Sequence, residues 1–422
     1  ESSEHVGGSP LNVASVLANL DRSALIGAWW GKDRHGKMIE DFAAEHKVGI
    51  VPGSNGAFKT SLAYALLDEL GRAKYEFDLT WEVPPLPHPS DIAHLHTGSL
   101  AATLEPGGSA VLGAVRDFAS QGTVSYDPNA RPAIMESPEK VIGRIEEMVG
   151  LSDVVKASDE DLAWLYGKET PVEEVMRRWS KLGPGLVVVT RGPWGSYARL
   201  AAERDMLVVD PLTVEVVDTV GAGDSFMGGL LSGLLDAGFI GSFEAKARLR
   251  EAKWSDILPS LHRGTVTSGL TVSKAGAGAP PAEEIAGVIA ADPKLASQRK
   301  PPRTDAIQGA TGSRPTAETR PQQEHDRRRN QQSSQGSEAA PVLLCEKASV
   351  FFDGSDDDLV ALGTDNHAIA TEQSNERPLG SPPLSPGRER VGDHFARTLV
   401  IAEGRSRFAP FALIGVIRRF DQ

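Results

Sequence analysis

A chain of 422 residues, 40% hydrophobic and 24% charged, has the composition of a water-soluble folded protein and is long enough for one large α/β domain or for several domains. Its formal net charge of −13 argues against general binding to nucleic acid or to an anionic membrane, and no apolar run reaches the ~20 residues that span a bilayer. The single cysteine, Cys345, excludes a disulfide framework and a thiolate zinc site; with no leader visible at the start, the reading is a cytoplasmic protein.

The chain opens on "ESSEHVGGSPLNVASVLANL", where Gly7 and Gly8 precede an apolar helical run with Asn12 near its start. Paired glycines let a ligand approach the backbone, and an Asn amide both donates and accepts. The plainer reading is a glycine turn before a helix. Short β-rich runs, "SALIGAWWG", "DVVKAS", "GLVVVTRG" and "MLVVD", alternate with helical ones such as "GKMIEDFAAEH" and "PVEEVMRRWSKL". This alternation predicts parallel βαβ units in a doubly wound α/β sheet over residues 1–290. The unbroken apolar run Leu186–Thr190 predicts a strand covered on both faces. Within 58–83, "AKYEFDLTWEV" alternates and is rich in aromatics, which predicts an antiparallel ribbon standing off the sheet as a lid. "GSNGAFKTS" lacks the glycine spacing of a P-loop. "HLH" at His94–His96 is expected to turn its histidines to opposite faces of a strand, a poor metal pair.

Three turns follow. "SYDPNARP" (Ser125–Pro132) closes a strand with an Asx-Pro turn, and the planar fork of Arg131 suits a phosphate or substrate. "VVKASDEDLAWL" runs from a strand into a helix capped by Ser158 with acids in its first turn. "VVVTRGPWGSYA" is a hairpin-type turn between two strands.

The chemistry-bearing stretch is "VEVVDTVGAGDSFMGGLLSGLLDAG". Val214, Val216 and Val217 are expected to end a strand, and Gly221 and Gly223 permit a sharp turn with positive φ. Phe226, Leu230 and Leu234 form one i,i+4 row and Met227, Leu231 and Leu235 another, so a buried helix follows. The turn therefore sits at a helix N-terminus, where unpaired N–H groups and the positive dipole end attract phosphate. Asp224 has two readings. It is an ordinary first-turn acid, or a general base that takes a proton from a hydroxyl while the turn holds the phosphoryl group under attack. From about Ala291 the text becomes rich in Pro, Gln, Ser and Arg, so residues 291–422 are expected to be disordered or non-homologous. Two apolar pieces there, "APVLLCEKASVFF" and "RFAPFALIGVIRRF", can form local elements; Asp356, Asp357 and Asp358 read as a solvated acidic run.

The run Asp218, Thr219, Val220, Gly221, Ala222, Gly223, Asp224, Ser225, Phe226 resembles the Asp-Thr-x-Gly-Ala-Gly-Asp-x-Phe signature of the ribokinase (PfkB) family of sugar kinases, without departure. "GGSPLNVA" resembles the family's Gly-Gly-x-x-x-Asn-x-Ala segment, and "DPNAR" the Asp-Pro-Asn-x-Arg of fructokinases and ketodeoxygluconate kinases. "KASDED" resembles Lys-x-Asn-x-x-Glu, with Ser158 at the Asn position and Asp161 at the Glu position. "TRGPWG" resembles Thr-x-Gly-x-x-Gly, and "SKAGAGAPPAEEI" a closing loop near the adenine, with Ala275 and Gly276.

The resemblance implies a Rossmann-like three-layer αβα fold with a small β lid, and ATP-dependent phosphorylation of a sugar hydroxyl. It implies Asp224 as base, Gly221, Ala222 and Gly223 as the catalytic turn beside it, and the backbone N–H groups around Ala222–Asp224 as the anion hole. Gly7, Gly8, Asn12 and Arg131, with Asp224, would bind sugar; Lys156, Thr190, Gly192, Gly195 and Gly223 would bind ATP. Asp161 would help hold Mg2+, and Asp218 would lie near a monovalent cation such as K+. A homodimer through the lid is the implied assembly. The segments together look most like fructokinase, with ketodeoxygluconate kinase as the alternative. Family members carry a strand with a sugar-contacting Asp before the Gly-Gly segment. This chain starts at "ESSEHVGG", so that strand is expected to be missing, its neighbours unpaired and part of the sugar site open. That expectation motivates a second alternative, a catalytically inactive relative with a binding or regulatory role.

Overall fold

The computed structural model describes residues 4–67, 73–291, 405–408 and 414–418. Strand β1 (Glu4–His5) leads through the glycine turn into α1 (Ser9–Asn19), then β2 (Ala24–Gly27), α2 (Arg34–Glu45) and β3 (Gly49–Ile50). Strands β4 (Leu62–Leu67) and β5 (Ala73–Asp78) follow. The alternating stretch comprises β6 (Ile92–Gly98), α3 (Gly107–Ala119), β7 (Thr123–Asp127), α4 (Pro132–Met135), α5 (Pro138–Leu151), β8 (Val154–Ser158), α6 (Asp159–Tyr166), α7 (Val172–Ser180) and β9 (Leu186–Thr190). Next come β10 (Ser196–Leu200), β11 (Leu207–Val209), α8 (Ala222–Asp236), α9 (Phe243–Glu251), α10 (Trp254–Val272) and α11 (Ala282–Ala291). Two strands of the tail complete the set, β12 (Arg405–Phe408) and β13 (Ile414–Arg418).

The main sheet has the order β11-β10-β9-β8-β7-β6-β13-β2-β3. Strands β6 to β9 are mutually parallel, as right-handed crossovers through helices require. Alternation along β9 builds both faces. Leu186 and Val188 enter a core with Leu11, Leu17, Phe226, Leu230 and Leu261, while Val187 and Val189 enter another with Val115, Ile145, Met148 and Trp179. The fold is therefore the expected three-layer α/β arrangement, with α1, α8 and α10 on one face and α3, α5 and α7 on the other. Helix α8 is buried nearly all round. A Cβ on Gly228 would stand 2.5 Å from Val16 Cγ1, and one on Gly233 would stand 2.7 Å from Ser260 Cα, so these glycines let α1 and α10 pack close against α8.

The expected gap in the sheet is filled from the far end of the chain. β13 lies between β6 and β2 and runs antiparallel to both, with Ile414 opposite Thr97 on one side and Gly27 on the other. Both neighbours thus have backbone partners along this stretch. The second sheet has the order β1-β12-β4-β5. Its β4–β5 ribbon pairs Leu62 with Asp78 through Leu67 with Ala73, inside the predicted lid range, and β12 adds to the free edge of β4. The rest of the tail, with Cys345 and the Asp356–Asp358 run, lies outside the described residues.

Two expectations are corrected. His94 and His96 share one face of β6, as residues i and i+2 of a strand must. Ser125 Oγ lies 2.8 Å from His94 Nε2 and 2.9 Å from His96 Nδ1, and Thr123 Oγ1 lies 2.9 Å from His94 Nδ1. Burial holds both histidines far below the ordinary range, His96 down to about 3 with help from the Lys156 charge, so both are neutral. The second correction concerns Val214, Val216 and Val217, which end no strand: β11 stops at Val209, and Val216 and Val217 are 59% and 56% exposed. Their β-branched side chains fit extended backbone, but among the described residues no neighbouring strand takes their hydrogen bonds; Val217 N–H donates instead to the Val272 carbonyl at 2.8 Å.

Candidate active site

Helix α8 begins at Gly221, which adopts φ 76 and carries no capping side chain. The turn before it closes through Ala222 N–H to Thr219 O at 3.2 Å, and the helix proper starts with Ser225 N–H to Gly221 O at 2.8 Å. Gly223 and Asp224 lie between, and their N–H groups have no partner among the described residues. The donors left open at this helix start are those of Gly223 and Asp224, while the Ala222 N–H is committed to the turn.

The Asp224 side chain turns away from its own helix. Ser9 Oγ donates to Oδ1 at 2.6 Å and Asn12 Nδ2 donates to Oδ2 at 2.8 Å. Both donors come from the start of α1, which Gly8 opens at φ 134, with the first helical bond from Asn12 N–H to Gly8 O. Asp224 is 8% exposed. Its carboxylate is therefore oriented by two donors from another helix, and each oxygen keeps a further lone pair for a substrate proton.

Lys156, on β8, brings positive charge to the same place. A Cβ on Gly223 would lie 2.8 Å from Lys156 Nζ, so the ammonium sits beside the first turn of α8. Asp127, at the end of β7, holds that ammonium through Oδ2 at 2.7 Å. Burial pushes the Asp127 carboxyl up to about 6, against the pull of Lys156. Burial alone would lower Lys156, but Asp127 holds it above its ordinary value, so the pair is ionised at neutral pH. Asp127 Oδ1 is buried without a hydrogen-bond partner among the described residues.

The remaining candidates occupy turns around this center. Arg131 folds back on its own turn, with Nη1 donating to Asn129 Oδ1 at 2.7 Å and to Ala130 O at 2.9 Å. Asp161 forms a capping box at the start of α6: Oδ2 accepts from Ser158 N–H at 2.8 Å and Ser158 Oγ accepts from Asp161 N–H at 3.0 Å. Its Oδ1 accepts from Ala130 N–H at 2.7 Å, which ties α6 to the turn after β7. Thr190, Gly192 and Gly195 form the β9–β10 turn, with Gly192 and Gly195 at positive φ. Asp218 joins two loops, accepting from Val220 N–H at 3.0 Å and from Gly276 N–H at 2.8 Å. Gly7 and Gly8 precede α1, and Asn12 lies in its first turns. Among the described residues no group of three or more His, Cys, Asp or Glu converges as a metal-holding set.

Sequence reasoning missed Ser9 and the Asp127–Lys156 pairing. Asp127 carried a legible signal, since an acid ending a central strand of an open α/β sheet faces the ligand crevice. Ser9 carried none, because its partner lies far off in the chain.

The profile described as pfkB family carbohydrate kinase matches residues 1–285. The fructokinase of Klebsiella pneumoniae is 30% identical over 271 residues, 62% of this chain and 88% of that protein. The probable fructokinase-4 of Arabidopsis thaliana is 31% identical over 283 residues, 64% of this chain and 82% of that protein. Among solved structures, the fructokinase of Vibrio cholerae O395 bound to fructose, ADP and calcium ion is 26% identical with a TM-score of 0.51, covering 65% of this chain and 91% of that one. The fructokinase of Xylella fastidiosa is 25% identical with a TM-score of 0.57, covering 68% of this chain and 89% of that one.

Proposed function

We propose that this chain, which belongs to the PfkB family of carbohydrate kinases, is a fructokinase that moves the terminal phosphoryl group of ATP onto a hydroxyl of fructose, giving fructose 6-phosphate. The observation that carries the reading is Asp224: a nearly buried carboxylate, aimed by Ser9 and Asn12, at the start of a helix with unpaired N–H groups. The acceptor hydroxyl binds against Asp224 and gives up its proton there as its oxygen attacks phosphorus. The transferring group rests on the Gly223 and Asp224 N–H groups, and Lys156 adds a full positive charge beside them. Phosphoryl transfer needs mainly such positioning and charge neutralisation.

Similarity to relatives called fructokinase supports the choice of sugar. Gly7, Gly8 and Asn12 line the start of α1 where the sugar would bind, and the β4–β5 ribbon is the candidate cover. Arg131 reaches substrate by leaving its turn. Thr190, Gly192 and Gly195 are the candidate nucleotide contacts. Magnesium fits as an ion brought on the nucleotide phosphates, whose charge it would neutralise. Asp161 accepts one backbone N–H on each oxygen and keeps a further lone pair on each with which to meet that ion. A monovalent cation at the loops joined by Asp218, a homodimer through the lid and a cytoplasmic location belong to the same proposal.

The test is ATP-to-ADP turnover with fructose, ribose, ketodeoxygluconate and adenosine as acceptors. Fructose is expected to give the highest kcat/KM. Preference for ketodeoxygluconate would move the assignment to that sugar acid. Absence of turnover with all four, in protein shown to be folded, would overturn the kinase reading in favour of an inactive relative.

A further inference from the structure

A serine in the first turn of a helix usually spends its hydroxyl on that helix, as a cap for backbone N–H groups. Ser9 does not. Gly8 holds the capping position of α1, no side chain caps this helix, and the next residue, Pro10, has no N–H to receive. The hydroxyl crosses instead to α8 and donates to Asp224 Oδ1 at 2.6 Å, between residues separated by 215 positions. Ser9 is only 7% exposed, so its hydroxyl has little water to fall back on and stays with the carboxylate. Asn12 holds the other oxygen but has a second amide hydrogen and a carbonyl with which to meet a substrate. The Ser9 hydroxyl has one proton, already committed.

We propose that Ser9 is a positioning residue for phosphoryl transfer: its hydroxyl fixes the Asp224 carboxylate so that the lone pairs left over face the acceptor hydroxyl. The proposal rests on the kinase reading above. Ser9 acts through Asp224: it sets where the base points, and a misaimed base slows the chemical step more than it weakens sugar binding.

The experiment is a double-mutant cycle on the full chain. Ser9→Ala is expected to lower kcat about tenfold, the scale of one lost hydrogen bond to a charged group, with sugar KM changed much less. Ser9→Thr, which keeps the hydroxyl, is expected to retain most of the turnover. In an Asp224→Asn background, Ser9→Ala is expected to cost nothing further, because the base it positions is gone. Calorimetric binding of ADP reports on the fold of each variant. Equal losses from Ser9→Ala in both backgrounds, or unchanged kcat in the native background, would overturn the proposal while leaving the kinase reading intact. A native chain without turnover overturns both.

Discussion

Helices α6 and α8 begin alike in sequence and differ in use. Each carries an aspartate at its third position, Asp161 in α6 and Asp224 in α8. In α6 the residue before the helix is Ser158, and serine and aspartate bond each other's backbone N–H groups in a closed box. In α8 that place belongs to Gly221, which has no side chain and lies in the left-handed region. The Gly223 and Asp224 N–H groups there have no partner among the described residues, and the aspartate turns outward to Ser9 and Asn12. An identical acid at an identical helical position thus closes a cap in one case and, in the proposed reaction, serves chemistry in the other. The residue before the helix, and what a second helix offers the acid, decide which.

Substitutions can break that contrast in a graded order. Asp224→Asn should lower kcat by about 10²–10⁴-fold, the usual worth of a general base, while ADP affinity holds. Steady-state kinetics and calorimetry together check this, and unchanged turnover would remove the base from Asp224. Lys156→Met should leave Asp127 as an uncompensated buried charge and cost about 3–5 kcal/mol of stability in chemical unfolding, with loss of turnover. Gly221→Ala should cost about 1–3 kcal/mol, because alanine is strained at this φ and its Cβ would stand 2.6 Å from Ala277 Cβ. A crystal structure of this variant should show the α8 turn displaced and Asp224 parted from Ser9. Ser158→Ala should cost only about 1 kcal/mol and leave turnover near its native value, since α6 would lose a cap and nothing else.

Acid should produce the smallest change. The folded pKa of Asp127, about 6, lies above its unfolded value, so the folded state takes up a proton, and this group's cost to stability is relieved, as pH falls through 6. The same proton discharges the partner of Lys156, so kcat should decline over that range while unfolding shows no parallel loss from Asp127. Asp127→Asn should remove that step from the pH profile.

Most of the architecture was legible because it is written in short periods. The apolar run Leu186–Thr190 announced a two-faced strand, and the glycine turn before Phe226 announced a helix end open to anions. What escaped was set by distance. The hydroxyl of Ser9 meets Asp224 only because α1 and α8 pack side by side, which no local pattern records. Val216 and Val217 have the β-branched character of a strand, yet they belong to no strand among the described residues. The apolar text of "RFAPFALIGVIRRF" marked a piece able to form a local element, but the place of β13 between β6 and β2 depends on a vacancy elsewhere in the sheet.

That placement sets an order of events during synthesis. Residues 24–27 and 94–97 leave the ribosome well before the strand that joins them, 414–417, has been made. Until then two inner strands present open edges, the kind of surface that invites pairing with other chains. Closing so long a loop adds little entropy per extra residue but delays the reward, so sheet completion should be a late and slow event in folding. Strand β13 is therefore a folding liability while the nascent chain awaits it and a structural part of the finished sheet.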